Sequence, residues 1–250
     1  PEPCYPSNLL NPKLLGAAAV TVPLYDEDNS QFRMEEFEKR VTPRTKMVLI
    51  THPHNPTTTV FRRESIEALC AFVIKHDLIL VSDQAFHEII FDGIEFVHPC
   101  TLPGMWERTV TVSSISKGFG FSGLRIGYVV GDDTIMDVLY GGAVNILGAS
   151  STLSSIGAIA AVKDRAHLES NIERMDRRRR LAHDMLSDIP GVRMRMSESG
   201  ILSWIHIAPL GTSEEVATHI MEKARIMVNQ GVPYGPHGEG YLRIVTGCFA

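Results

Sequence analysis

The sequence predicts an α/β protein: a mainly parallel sheet with helices on both faces, followed by a small α+β block at the C-terminal end. Three observations carry this. Residues 47–51 and 78–82 read as continuous apolar strands, as expected of a sheet buried on both faces. Segments with apolar residues at helical spacing separate the strands. Beyond residue 151 the pattern changes to two consecutive helices and then short strands.

In chain order, residues 19–23 form a short apolar strand candidate. Residues 34–40 are helical, with Met34, Phe37 and Val41 on one face. Strand 47–51 precedes a helix over 63–76, where Ile66, Leu69, Phe72 and Val73 recur at helical spacing. Strands 78–82, 109–113 and 126–130 complete the first block. Helices at 151–163 and 167–186 follow, the second long and charged. Strands at 192–196 and 201–207 then lead to a helix over 213–225, capped by Thr212 or Ser213, and a last strand at 242–246. Pro190-Gly191 punctuates the second block. The division expected is one domain over residues 1–165 and another over 166–250.

The 250 residues are 44% hydrophobic and 21% charged, ordinary for a globular chain. A formal net charge of −5 argues against a nucleic-acid binder. The basic run Arg177–Arg180 follows Glu169, Glu173 and Asp176 in a helical pattern and reads as a solvated face. Cys4, Cys70, Cys100 and Cys248 are widely spread and form no CxxC pair, which suits reduced thiols. The histidines show no metal-ligand spacing, so no metal is expected. No apolar run approaches the ~20 residues of a membrane helix, and the expected location is cytoplasmic.

Lys117 is the most informative residue. It follows the strand 109–113 and Ser114-Ile115-Ser116, and opens the glycine-rich stretch 118–123; Arg125 comes eight positions later. A lysine at a strand end, with hydroxyls before it and an arginine after it, suits a Schiff-base lysine beside a phosphate, the arrangement pyridoxal 5′-phosphate (PLP) needs. Ser114, Ser116 and Arg125 are the phosphate candidates, since a guanidinium holds phosphate oxygens bidentately; the alternative for Arg125 is a surface salt bridge. Asp83 ends a strand, where open α/β sheets place their ligands, and either faces a pyridine nitrogen or caps the next turn. Asn55, before Pro56, either donates to a ligand or serves only as a turn former. Arg243 lies between Leu242 and Ile244 in an apolar run, so its charge needs a partner: a substrate carboxylate, or an internal acid such as Glu198 or Glu239.

Two coincidental patterns are set aside. Residues 118–123 fit G-x-G-x-x-G but lack the following βαβ unit and its acid. Residues 114–117 fit S-x-x-K without the downstream S-D-N and K-T-G.

In this order and at these spacings, the motifs resemble the class I/II aminotransferase (aspartate aminotransferase-like) family of fold-type I PLP enzymes, over residues 1–250. The resemblance implies part of the large PLP-binding domain over 1–165, then an interdomain helix and a small α+β domain over 166–250. It implies a homodimer that moves an amino group from an amino acid to a 2-oxo acid by a ping-pong Schiff-base mechanism. Lys117 and Asp83 are then catalytic; Asn55, Asp83, Phe86, Ser114, Ser116, Lys117 and Arg125 bind the cofactor, and Arg243 with Asn55 binds the substrate. The alternatives are a PLP lyase of the same fold or a truncated, non-catalytic fragment.

The sequence departs from the family pattern twice. Thr58 stands where a glycine is usual after Asn-Pro-Thr, and Phe86 where a tyrosine usually bonds the phenolic oxygen of PLP. Residues 1–6 read as a mid-chain loop. The resemblance implies roughly a hundred residues before them, with a glycine-rich phosphate turn and a ring-stacking aromatic, and a final helix beyond 244–250.

Overall fold

A computed structural model describes residues 1–247 of the chain. Its first sheet contains β1 (Met47–Thr51), β2 (Ile79–Asp83), β3 (Thr109–Ser114) and β4 (Gly127–Val130), in that order. β1, β2 and β3 are parallel, with Thr51 level with Asp83 and Asp83 level with Val112. β4 runs antiparallel to β3. The sheet is thus mainly parallel, and the exception follows from the connection. Residues 115–126 contain no α-helix, so the chain has no crossover and turns straight back.

Helix α1 (Pro6–Leu14) and the short α2 (Met34–Glu38) precede the sheet. Helix α3 (Arg63–Lys75) connects β1 to β2, burying Ile66, Leu69, Phe72 and Val73 against Ile50, Phe61 and Leu80 in the main core. After β4 come α4 (Asp133–Ile146), α5 (Thr152–Lys163) and the 23-residue α6 (Arg165–Ser187). All four residues of β4 are exposed, and α4 buries none of its residues.

The second sheet has the order β5-β6-β8-β7 and is antiparallel throughout: β5 (Arg193–Met194), β6 (Leu202–His206), β7 (Asn229–Gln230) and β8 (Tyr241–Val245). Helix α7 (Ser213–Ala224) carries a capping box in which Thr212 and Glu215 satisfy each other's backbone donors.

Several expectations need correction. Residues 19–23 form no strand: Val22 and Leu24 exchange hydrogen bonds with Glu2 (2.7 Å each), so the segment is tied to the start of the chain and not to the sheet. Strand 192–196 shrinks to two residues. α1 and α4 were not anticipated. Pro6 and Pro12 obscure α1, and Gly141-Gly142 interrupts the pattern of α4. In the basic run, Arg179 is buried. Its guanidinium bonds Asp92 (2.8 Å) and the Ser197 carbonyl (2.7 Å) and lies 4.2 Å above the Phe91 ring. Helical geometry turns this one arginine inward while Arg180 stays half-exposed beside Asp92. Cys4, Cys70 and Cys100 are free thiols; Cys248 lies outside the described residues.

Candidate active site

β1, β2 and β3 run in the same direction, so their C-terminal ends share one edge of the sheet. Open α/β sheets bind ligands at that edge. The loop after β1 is tight: His54 N–H donates to the Thr59 carbonyl (2.8 Å), and Thr58 N–H to that of His54 (2.9 Å). Thr58 takes the left-handed conformation (φ 63°) open to a glycine, so the turn survives the substitution at the cost of strain in a β-branched residue. The turn is further held by Ser199 Oγ donating to the Thr58 carbonyl (2.8 Å). It presents Asn55, which is buried.

Asp83 ends β2. Burial pushes its carboxyl pKa up, and three neighbours oppose that: the Ala85 N–H (3.1 Å to Oδ1), the Thr51 hydroxyl and the charge of Lys117. Lys117 sits half-buried in the turn after β3 and forms no ion pair among the described residues. The Ser116 N–H donates to Ser114 Oγ (3.3 Å), so both hydroxyls and Lys117 belong to one turn. Arg125 lies farther along the loop, exposed and left-handed (φ 55°), its guanidinium donating to the Ser122 carbonyl (3.0 Å). The buried setting expected for it between two apolar neighbours is not found, because residues 122–130 are largely exposed.

Arg243 enters from the second sheet. It lies opposite Trp204 across the β6–β8 pair, with its guanidinium 5.0 Å above the Tyr234 ring. Nη1 donates to Asn55 Oδ1 (3.2 Å) and Nη2 to Asn229 Oδ1 (3.0 Å), while Nε is buried without a hydrogen-bond partner. Both partners are neutral. The acids that spacing offered as alternatives are engaged elsewhere: Glu198 pairs with Arg62 and accepts the Val60 N–H (2.8 Å), and Glu239 accepts from the Ser213 N–H and hydroxyl (2.9 Å each). Among the described residues no carboxylate pairs with Arg243. Because arginine only donates, Asn55 turns its oxygen toward Arg243 and its NH₂ the other way.

Phe86 is not brought to this edge as a polar contact. It packs with Ile89, Phe91, Met175 and Leu202, and a Cβ at Gly200 would come within 3.1 Å of its ring. Its role here is to fill the seam between β2, α6 and β6.

Sequence reasoning missed Asn8, Thr51 and Tyr5. Asn8 in α1 donates through Nδ2 to Thr51 Oγ1 (3.0 Å), which ties α1 and Thr51 to the Asp83 end of the site. Tyr5, at the start of the same helix, is 41% exposed, and its neighbour Cys4 donates its N–H to the Tyr234 carbonyl (2.8 Å). Tyr5 is thus an exposed aromatic beside the segment that delivers Asn8. The Pro-flanked aromatic of Cys4-Tyr5-Pro6 was the only available signal.

Comparison with known proteins agrees with this geometry. A profile of the family described as aminotransferase class I and II matches residues 1–248. An arginine–pyruvate transaminase of Pseudomonas aeruginosa is 33% identical over 231 residues, which cover 92% of this chain and 58% of that protein. An aspartate aminotransferase of Pyrococcus abyssi is 30% identical, with 98% of this chain and 64% of that protein covered. The crystal structure of an aromatic aminotransferase from Pyrococcus horikoshii superposes with a TM-score of 0.94 at 30% identity, covering 100% of this chain and 67% of that one. The chain therefore spans about three-fifths of the length of these two curated relatives. With the matching profile and the site geometry together, the chain belongs to the class I and II aminotransferase family.

Proposed function

We propose that this chain carries the catalytic core of a PLP-dependent aminotransferase, which moves an amino group from an amino acid to a 2-oxo acid in two ping-pong half-reactions. One observation carries the reading. A half-buried carboxylate, a lysine without an ion-pair partner and an arginine with only neutral partners converge on one sheet edge from two sheets.

The donor set fits the cofactor, and the partly unsatisfied guanidinium of Arg243 fits a substrate carboxylate. When bound, PLP supplies an aldehyde that captures amines and a ring that accepts electrons from the substrate. Lys117 would bond the aldehyde carbon and, once displaced, move the proton at the substrate Cα. Asp83 would keep the ring nitrogen protonated, and the Asn55 amide NH₂ would donate to the phenolic oxygen. Ser114 and Ser116, with Arg125 swung in from its exposed position, would hold the phosphate. Tyr5 is our candidate for the aromatic that covers the ring. Arg243 would grip the α-carboxylate.

A division near residue 165 into a cofactor-binding part and a smaller α+β part belongs to the same reading. So does a homodimer: β4, α4 and α5 leave Tyr128, Val138, Tyr140, Ile146, Leu153 and Ile156 exposed, apolar surface that a second copy can cover. Light scattering should find a dimer, and a monomer at working concentrations counts against it. No helix among the described residues is long and apolar enough to cross a membrane, and the free thiols suit a cytoplasmic location.

Incubation with PLP followed by borohydride reduction and peptide mass spectrometry tests the assignment. A cofactor adduct on Lys117, absent in Lys117→Ala, is expected. An adduct elsewhere, or none, overturns the reading.

A further inference from the structure

Asp83 must stay ionised while partly removed from water, which costs free energy unless donors surround the charge. The Ala85 N–H supplies one donor. A second comes from Thr51, which stands level with Asp83 on the neighbouring parallel strand and therefore on the same face of the sheet. A threonine hydroxyl has one hydrogen and two lone pairs, so by itself it is free to accept as well as to donate. Here its freedom is removed. The Asn8 amide, 43 residues away in sequence on α1, donates to Thr51 Oγ1 at 3.0 Å. With that lone pair occupied, the hydroxyl hydrogen is left to point at the carboxylate. Donors aligned in this way strengthen one another in a site of low dielectric. The ionisable group acting on Asp83 from another element is Lys117, in the turn after β3.

We propose that Asn8 and Thr51 are positioning residues that keep the Asp83 carboxylate ionised and aimed at the ring nitrogen of PLP. The proposal rests on the cofactor reading above. It also assigns α1 a role beyond packing, since the helix buries none of its residues yet delivers Asn8 to the buried Thr51.

The Asp83 carboxyl titration, followed by carbon NMR in cofactor-free protein and assigned with Asp83→Asn, tests the proposal without passing through activity. Thr51→Val, which keeps the shape and removes the hydroxyl, should raise the Asp83 pKa by on the order of one unit. Thr51→Ser should restore it. Asn8→Ala should raise it by less, and in the Thr51→Val background should add nothing, because the amide acts through the hydroxyl. Asn8 is only half-buried, so its variant keeps the experiment open even if Thr51→Val fails to fold. An Asp83 titration unmoved in both Thr51→Val and Asn8→Ala, or an Asn8→Ala effect that persists without the hydroxyl, overturns the relay. Labelling of wild-type Lys117 is scored separately. If it fails while the titrations shift as expected, the cofactor reading falls, and the aim at a ring nitrogen falls with it.

Discussion

Asp83 and Arg243 approach one site from different sheets, and the chain treats their charges in opposite ways. Asp83 receives a backbone N–H, a hydroxyl and the field of Lys117, all from this polypeptide. Arg243 receives two neutral amide oxygens and keeps Nε unpaired. Leaving a buried donor unsatisfied costs about 1–3 kcal/mol, so a fold under pressure for stability alone would give Arg243 an acid. Glu198 and Glu239 lie in the same part of the chain and are bonded to Arg62 and Ser213 instead. On the function proposed above, the difference separates two kinds of charge: one prepared by the protein for steady use, the other left for an incoming ligand to complete.

The largest expected effect is on the prepared charge. Asp83→Asn keeps the shape and removes the negative charge, and should lower kcat/KM by about two to three orders of magnitude, as for other preorganised electrostatic groups. Thermal stability should not fall with it, because a neutral amide is cheaper to bury than a carboxylate. A parallel loss of stability and activity would make Asp83 a structural acid.

Next in size is acid sensitivity beside the site. His52 follows Thr51 directly and is fully buried, stacked on Phe96 with ring centroids 4.3 Å apart. Burial pushes its pKa down to about 3. The unfolded chain takes up this proton near pH 6.5, so the stabilisation is complete above that pH and is lost as pH falls toward 3. At about pH 4.5 the loss should be on the order of 2–3 kcal/mol. Chemical denaturation across this range should show the decline, and His52→Phe should make it shallower, leaving the share of the equally buried His54. A wild-type curve flat over the same range would mean that His52 is protonated in the folded state without penalty.

The smallest effect concerns the loop that joins the two charges. Thr58→Gly relieves a left-handed β-branched residue and should stabilise the protein by about 1 kcal/mol, measurable as a raised denaturation midpoint. A decrease would mean that the Thr58 side chain holds the Asn55 turn by its packing.

Sequence reasoning located both charges because each sits in a locally readable pattern: Asp83 and Arg243 in apolar strands, Lys117 in a turn after one. The partners of those charges were not readable. Glu198 meets Arg62 from 136 residues away, so spacing could not show that it was unavailable to Arg243. Asn8 was hidden because α1 holds two prolines and no buried face, and without the helix nothing linked Asn8 to Thr51. The antiparallel direction of β4 followed from a connection that carries no crossover helix, a property of the link and not of the strand itself. Phe86 was read as a cofactor contact from the family resemblance, and its packing against Met175 and Leu202 was not readable, because α6 and β6 lie far along the chain.

The claim that Arg243 awaits a substrate carboxylate is tested most directly by mixing the PLP-loaded protein with an amino acid and with the amide of the same amino acid, following the cofactor absorbance. The wild type should prefer the acid by on the order of 100-fold, the equivalent of about 2–3 kcal/mol for one charged hydrogen-bonded pair. Arg243→Met should erase the preference while retaining PLP on Lys117. An undiminished preference for the acid in Arg243→Met would contradict the account.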